Sequence, residues 1–236
     1  MYIPPHFKED RVDILHAAIR RAGAATLVSM TAEGLFASHA PLLLDPEPAP
    51  YGTLVGHLAK ANPHRRLLDG QPAGVVETRA VETGAVETGA VETLVIFQGP
   101  GGYITPSYYA AKKEHGKVVP TWNYAAIHAY GVLETFDDPD RLLSVVTRLT
   151  DAHEASRAAP WAVSDAPADF VQGMLKGIYG ISLRITRLEG KVKMSQNRPA
   201  ADRPGIVEGL RADGRAELAE AVTEALSRVP SDAPRS

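Results

Sequence analysis

The chain contains no cysteine among its 236 residues. Disulfide bonds, thiolate metal sites and a cysteine nucleophile are therefore excluded, and the composition is compatible with a reducing compartment. The chain also lacks a strong excess of charge of one sign, because 25 basic and 28 acidic side chains leave a formal net charge of −3. This balance does not favour nucleic acid or an anionic membrane as a partner of the whole surface.

Several further signals are missing. No apolar run approaches the thickness of a bilayer, and the first ten residues lack a basic region followed by an apolar stretch, so we expect a soluble cytoplasmic protein. The G-x-S-x-G pattern of serine hydrolases, a helical H-x-x-x-H pair and the G-x-G-x-x-G dinucleotide fingerprint are all absent. The sequence therefore predicts no catalytic triad, no metal site and no classical dinucleotide fold.

Hydrophobic residues make up 44% of the chain, enough for a full core. Alternation and turn chemistry predict strands at 24–30, 34–44, 53–57, 94–97, 117–131 and 181–186. Apolar periodicity and capping residues predict helices at 10–21, 138–157, 165–176 and 216–227, with short helical stretches at 62–66 and 110–116. Hairpin-linked strands with helices at both ends predict an antiparallel barrel rather than βαβ units, hence a mainly β fold with flanking helices.

A five-residue repeat, VVETR-AVETG-AVETG-AVETL, occupies 75–94. A period of five matches neither the strand nor the helix period, so the copies cannot all pack in the same way. We interpret 71–93 as a repeat-expanded surface loop or hairpin. The predicted domain organisation is a barrel with flanking helices over 1–210, followed by a C-terminal helix and loose tail over 211–236.

Polar clusters at predicted strand ends are the candidates for a binding site. A phosphate group needs converging cationic and hydroxyl donors, which Lys60, Lys193, Ser195 and Arg198 would supply if their loops meet. A flat heteroaromatic ring needs an apolar face with donors and acceptors at its edge, which Trp122, Asn123, Gln196 and Asn197 would supply. Together these groups suit a nucleotide-like ligand. Each cluster alone also fits a purely structural role, as a packed tryptophan or a solvated polar loop.

Long motifs carry a family resemblance. The segments MYIPPHF, GLFASHAPLLLD, GTLVGHLAKANPH, VIFQGPGGYITPSYY, GKVVPTWNYAAIHAYG, PWAVSDAP and GKVKMSQNRPAADRPGIVEGL occur in this order from residue 1 to about 210. In this the chain resembles the PaiB family of FMN-binding negative transcriptional regulators. The resemblance implies a split β-barrel like that of pyridoxamine-phosphate oxidases, assembled as a homodimer with the flavin site at the subunit interface.

The resemblance also implies which residues bind the cofactor. The positions that match the usual phosphate-binding strands and turn are Ser38, His39, His57, Lys60 and Asn62. The other positions that match well are Thr121, Trp122 and Asn123 and the cluster Ser195, Gln196, Asn197 and Arg198, at the flavin or at the subunit interface. Lys193 completes the expected cofactor-binding residues as the phosphate donor named above. The expected cofactor is FMN.

Three functions follow from these expectations. The first is an FMN-binding repressor or sensor, for which DNA is a possible partner that the acidic charge balance does not support. The second is a flavin-dependent oxidoreductase acting on small substrates. The third is a haem-handling protein, with His39, His57 and His128 as candidate ligands.

Overall fold

The computed structural model describes residues 1–31, 33–69 and 92–228. Within them lie the strands β1 (Lys8–Glu9), β2 (Ala24–Thr31), β3 (Gly34–Asp45), β4 (Thr53–Ala59), β5 (Glu92–Ile104), β6 (Thr121–Phe136) and β7 (Ile178–Lys193). The α-helices are α1 (Val12–Ala22), α2 (His64–Asp69), α3 (Ala110–Glu114), α4 (Pro139–Glu154), α5 (Ala168–Leu175), α6 (Arg203–Ala212) and α7 (Ala216–Ser227). The predicted repeat loop, except its last two residues, and the tail beyond residue 228 lie outside the described residues.

The strands form one sheet in the order β1-β7-β4-β3-β2-β5-β6, and β6 also pairs with β7. The pairings from β2 to β7 therefore close on themselves, and the pairs with a known register are antiparallel. Closure removes the unpaired edges that an open sheet would expose. This arrangement confirms the predicted mainly β barrel with flanking helices.

Contacts between residues divide the described chain into two compact units. Unit 1 comprises the described residues of Met1–Arg11, Gln98–Ile127 and Glu189–Ser236, and unit 2 comprises those of Val12–Phe97 and His128–Leu188. The long strands β5, β6 and β7 contribute residues to both units.

Unit 2 has its core between the barrel strands and the helices that cover them. Ile181, Leu183 and Ile185 of β7 are all buried, as predicted. Ser182, which the alternation placed on the other face, is buried as well, so the strand is not half-exposed at that position. From α4, Val145 and Leu149 pack on Val55 of β4, and Asp138 caps this helix by accepting a hydrogen bond from the Arg141 backbone N–H at 2.7 Å. Each buried leucine of this kind contributes about 1.5–3 kcal/mol.

A close approach inside unit 2 joins β6 to β7. The ring of Phe136 lies on Gly180, so that a Cβ built at Gly180 would meet three ring atoms at 2.1, 2.2 and 2.6 Å. The guanidinium of Arg141 lies 3.8 Å from the centre of the same ring. The ring thus occupies the volume that a side chain at position 180 would need.

Unit 1 has a separate helical core. Buried side chains of α6 and α7 pack with residues of β5 and of the segment after β7 and with the residue before α3; they are Ile104, Tyr109, Met194, Ile206, Leu210, Leu218, Ala219, Val222 and Ala225. Helix α7 begins and ends at the predicted residues, 216 and 227. Helix α6 was not predicted.

Several strand limits differ from the predictions. Strand β6 begins at Thr121 and continues to Phe136, whereas 117–131 was predicted. Strand β7 spans Ile178–Lys193, whereas 181–186 was predicted. Near its end it pairs with β1, which was not predicted: Lys8 is opposite Lys191. Among the described helices, none is long and apolar enough to cross a membrane.

Candidate functional site

A buried hydrogen-bond network in unit 2 contains two of the predicted site residues, Ser38 and Asn62. We call it the His64 cluster; its members are Ser29, Ser38, Asn62, His64 and Thr93. The imidazole Nδ1 of His64 lies 2.9 Å from Ser38 Oγ, and its Nε2 lies 2.9 Å from Ser29 Oγ. Ser29 Oγ in turn shares a hydrogen bond of 2.7 Å with Thr93 Oγ1. The cluster therefore ties β2, β3 and β5 to the first residue of α2.

The amide of Asn62 fixes the turn that leads from β4 into α2. Its Nδ2 donates to Ser38 Oγ at 3.0 Å, and its Oδ1 accepts from the His64 backbone N–H at 3.0 Å. Asparagine commonly bonds the backbone two residues ahead in this way, which explains why the Asn62-Pro-His64 sequence starts a helix. Asn62 and Ser38 therefore support the turn whose first residues are Lys60 and Ala61.

The imidazole of His64 is fully buried and uncharged. Burial lowers its pKa, because the charged form loses solvation that the neutral hydroxyls do not replace. Phe36 packs its ring against the imidazole with the centroids 5.2 Å apart. In this environment His64 acts as a neutral donor and acceptor between two serines.

The other predicted residues of unit 2 lie around the end of β4 and on β3. The Nδ1 atom of His57 is buried without a hydrogen-bond partner in the described part of the chain, and burial lowers the pKa of this imidazole. Lys60 is exposed; its backbone N–H donates to Gly177 O at 2.8 Å, while its ammonium contacts no described carboxylate. His39 is exposed on β3 and shares a hydrogen bond of 3.0 Å with Thr26 Oγ1.

In unit 1 the predicted residues Lys193 and Arg198 belong to a group of cations, which we call the Lys193 cluster: Lys191, Lys193 and Arg198. Lys193 Nζ donates to Thr121 Oγ1 at 2.8 Å and lies 5.9 Å from the centre of the Tyr124 ring. Lys191 Nζ lies 5.0 Å from the same ring. Burial is the largest cause of a lowered pKa at Lys193; the positive charges of Lys191 and Arg198 lower it further, and Tyr124 opposes them.

The turn after β7 is fixed by side chains that bond to its backbone. Gln196 accepts from the Met194 N–H at 2.6 Å and donates to Val192 O at 2.6 Å. Arg203 donates to Arg198 O at 2.9 Å and to Gln196 O at 3.1 Å. The predicted residue Gln196 thus stabilises the turn through both ends of its amide.

Ser195 has a left-handed backbone with a φ of 66°, which is unusual for a residue other than glycine. Its hydroxyl donates to Asn123 Oδ1 at 3.1 Å and accepts from Asn123 Nδ2 at 3.0 Å. Both side chains are buried. The pair therefore holds the strained residue against β6.

Trp122 is the large aromatic side chain that β6 turns to the surface of unit 1. It is 61% exposed, and its ring meets that of Tyr103 edge to face with the centroids 6.3 Å apart. Exposure of this size leaves one face of the indole free for a planar ligand or another chain. Val119, which is close to Trp122 in the sequence, and Tyr103, whose ring contacts the indole, are also exposed.

Reasoning from the sequence alone missed two participants, Ser29 and Thr93, which complete the His64 cluster although they are 64 residues apart in the sequence. His64 and Lys191 stand in the polar stretches 56–64 and 191–198, but the sequence did not single them out as site residues. Lys191 had a usable signal, because it stands two residues before Lys193 and a continuing strand places both on one face. Among the described residues, no group of three histidine or acidic side chains is placed to hold a metal ion.

The polar groups that are left without protein partners fit the chemistry of a phosphate ester. In unit 2 these are the His57 Nδ1 atom and the Lys60 ammonium, and in unit 1 they are the remaining donors of the Lys193 cluster. One cavity in unit 1, beside the first turn of α7, measures about 170 Å³. It is smaller than the roughly 300–1,000 Å³ typical of pockets for drug-sized ligands, so it does not by itself hold a flavin.

Comparison with known proteins places the chain in a family. Residues 1–187 match the family model described as "Putative FMN-binding domain". An uncharacterised protein of Aspergillus fumigatus is 35% identical over 201 residues, which cover 75% of this chain and 76% of the relative. The protease synthase and sporulation protein PAI 2 of Bacillus subtilis is 28% identical over 211 residues, 89% of each chain.

Solved structures share the fold at low sequence identity. The FAD and heme binding protein from Mycobacterium smegmatis has a TM-score of 0.52 at 14% identity, covering 79% of this chain and 73% of that one. The flavocytochrome Anf3 from Azotobacter vinelandii has a TM-score of 0.51 at 11% identity, covering 81% and 72%. On the strength of the match over residues 1–187, the chain belongs to the family of FMN-binding domains of the PaiB type.

Proposed function

We propose that this chain binds flavin mononucleotide in the cytoplasm and acts as a negative transcriptional regulator of the PaiB type. The observation that carries the proposal is the end of β4, where the Lys60 ammonium and the Nδ1 atom of His57 have no partner among the described residues. This segment lies inside the matched residues 1–187. A phosphate ester supplies the negative charge and the acceptor oxygens that these two groups lack.

The residues of this chain would have distinct roles toward the cofactor. Lys60 would neutralise the phosphate, and His39 and His57 would add donors from β3 and β4. Ser38 and Asn62 would hold the turn in place through the His64 cluster. The proposed contacts of unit 1 are Thr121, Trp122, Asn123, Lys193, Ser195, Gln196 and Arg198. Bound flavin would supply one- or two-electron redox chemistry, which a sensor can convert into a change of conformation or assembly.

A homodimer is part of the proposal. Unit 1 exposes Tyr103, Val119 and Trp122, and large apolar side chains of this kind that face solvent on one chain commonly mark an interface. A second copy would bury them. Size-exclusion chromatography with light scattering tests this step: a particle of twice the chain mass supports it, and a monomer at micromolar concentration contradicts it.

The charges on the exposed side of the C-terminal helices do not favour direct binding of these helices to DNA. Helices α6 and α7 are joined by three residues, as in a helix-turn-helix, but the exposed side of α7 carries Glu217, Glu220 and Glu224. A helix that enters the major groove lies between rows of phosphates, which repel carboxylates. We therefore infer that regulation acts through a partner protein or through another surface of the dimer.

Two experiments test the proposal. The absorbance spectrum of the purified protein, before and after incubation with FMN and gel filtration, should show flavin bands that stay with the protein. Failure to retain FMN contradicts the cofactor, and a Soret band after incubation with haem would favour the haem-handling alternative. A gel shift at physiological salt with competitor DNA then decides whether this chain contacts an operator; specific retention would overturn the indirect route.

A further inference from the structure

The Lys193 cluster combines three positive charges without a carboxylate to balance them. Among the described residues, no ion pair reaches Lys191, Lys193 or Arg198. Lys191 is only 7% exposed. An ammonium buried to this extent normally has a negatively charged partner, because the loss of hydration is expensive.

Aromatic rings and carbonyl groups take the place of that partner. Lys191 Nζ donates to Tyr2 O at 3.1 Å and lies 5.5 and 5.0 Å from the centres of the Tyr2 and Tyr124 rings. The guanidinium of Arg198 lies 4.6 Å from the centre of the Tyr109 ring and donates to Val119 O at 3.1 Å. These contacts orient the cations, but they leave the summed charge unneutralised.

The cations also keep unused donors. An ammonium has three N–H groups, and each lysine uses one of them, Lys191 on Tyr2 O and Lys193 on Thr121 Oγ1. Both ammonium groups lie beside the Tyr124 ring, at 5.0 and 5.9 Å from its centre, so the two lysines share this ring as a neighbour. The three cations are also close enough to interact electrostatically, since the charges of Lys191 and Arg198 lower the pKa of Lys193.

We infer that Lys191, Lys193 and Arg198 form a phosphate subsite in unit 1, with the Thr121 hydroxyl as a neighbouring polar group. A phosphate monoester fits this set better than a single carboxylate, because it carries up to two negative charges and offers three oxygens to donors on different strands and turns. Its source is either the phosphate of the proposed flavin or that of a second small phosphate ester. The inference extends the proposed function, but the subsite stands on the unbalanced charges of unit 1 alone.

The test is a titration of inorganic phosphate, followed by phosphorus NMR and calorimetry at constant ionic strength with potassium chloride. Wild-type protein without flavin should bind phosphate. Lys193→Gln should bind it about tenfold more weakly, since a charge-assisted hydrogen bond is lost, and Lys193→Arg should recover most of the affinity. Arg198→Gln should weaken binding in the same direction.

Lys113→Gln is the matched control, because it removes the same charge from an exposed lysine of α3 in unit 1. Its phosphate affinity should equal that of the wild type. Circular dichroism and the midpoint of thermal unfolding verify that each variant is folded. Absence of phosphate binding by the wild type, or equal affinities of Lys193→Gln and Lys113→Gln, would overturn the subsite.

A second arm identifies the source of the phosphate. If FMN displaces inorganic phosphate while riboflavin does not, the subsite holds the phosphate of the flavin. If phosphate still binds when FMN is saturating, the subsite belongs to a second ligand. A protein that binds phosphate but no flavin would retain this subsite and refute the proposed function, so that the two failures are distinguishable.

Discussion

His64 Nδ1 and Ser38 Oγ lie 2.9 Å apart at the point where the turn after β4 meets β3. The histidine is buried and uncharged, and its other nitrogen is bound to Ser29. One side chain therefore connects the strand that bears the predicted site residues with the turn that bears Lys60. The shape of this part of the candidate site depends on a residue that need not touch a ligand.

Replacing His64 should destabilise the protein strongly. His64→Ala leaves a cavity and removes partners from the buried hydroxyls of Ser29 and Ser38, so we expect a loss of about 3 kcal/mol in the free energy of unfolding. Urea denaturation followed by circular dichroism measures it. The control His153→Ala, at an exposed position in α4, should stay within about 0.5 kcal/mol of the wild type. A similar small change for both variants would show that the His64 cluster does not stabilise the fold.

The lowered pKa of His64 also predicts an acid sensitivity. In the unfolded chain this imidazole takes up a proton around its ordinary pKa of 6.5, whereas burial holds the folded-state pKa below that value. The unfolded state thus binds more protons as the pH falls below 6.5, and stability is lost from there down to the folded-state pKa. His57 acts in the same direction.

Urea midpoints measured between about pH 7.5 and about pH 5.5 should therefore fall with decreasing pH. A variant without the imidazole, His64→Ala, should show a flatter profile over the same range. If the profile of the variant is as steep as that of the wild type, other groups cause the acid sensitivity.

Two substitutions at Ser195 should separate the contributions of backbone strain and of hydrogen bonding to the free energy of unfolding. Ser195→Ala keeps the left-handed backbone and removes both bonds to the buried amide of Asn123, so we expect it to cost about 2 kcal/mol. Ser195→Gly removes the same bonds but relieves the backbone strain, which should return about 1 kcal/mol. The free energy of unfolding should thus be lower for Ser195→Ala than for Ser195→Gly. The reverse order would refute a strained backbone at Ser195.

Lys60 should discriminate FMN from riboflavin. Lys60→Met removes the charge proposed to neutralise the phosphate, and the preference for FMN should fall by about tenfold, while riboflavin affinity stays the same. Fluorescence titration with each flavin gives the two dissociation constants. Lys113→Met, an exposed lysine in unit 1, serves as the control and should keep the full preference. Equal losses for both flavins would show that Lys60 acts on the ring or on folding.

Much of the fold could be predicted because local signals coincide with tertiary packing. The turn between β2 and β3, and the alternation of Ile181, Leu183 and Ile185, gave the barrel strands with their buried faces. Beyond Ile185 the alternation is masked by charged residues, and the rest of β7 depends on pairing with β1, which the local sequence does not reveal.

Helix α6 shows why other parts could not be predicted. Its sequence contains Gly205 and Gly209, which weaken a helix. Both glycines lie against Tyr108: a Cβ at Gly205 would be 2.1 Å from its carbonyl oxygen, and one at Gly209 would be 2.2 Å from its ring. Packing thus overrides propensity. The His64 cluster was hidden in a similar way, because its serines and threonine are ordinary strand residues until distant strands bring them together.

The ring of Phe136 on Gly180 has a consequence for how this sequence can change over generations. If alanine replaced Gly180 while the Phe136 ring remained, its Cβ would clash with the ring and push β6 and β7 apart. If a smaller side chain first replaced Phe136, the same alanine would have room. The order of the two substitutions therefore decides whether the substitution at 180 is tolerated, and the effect of each on stability depends on the other.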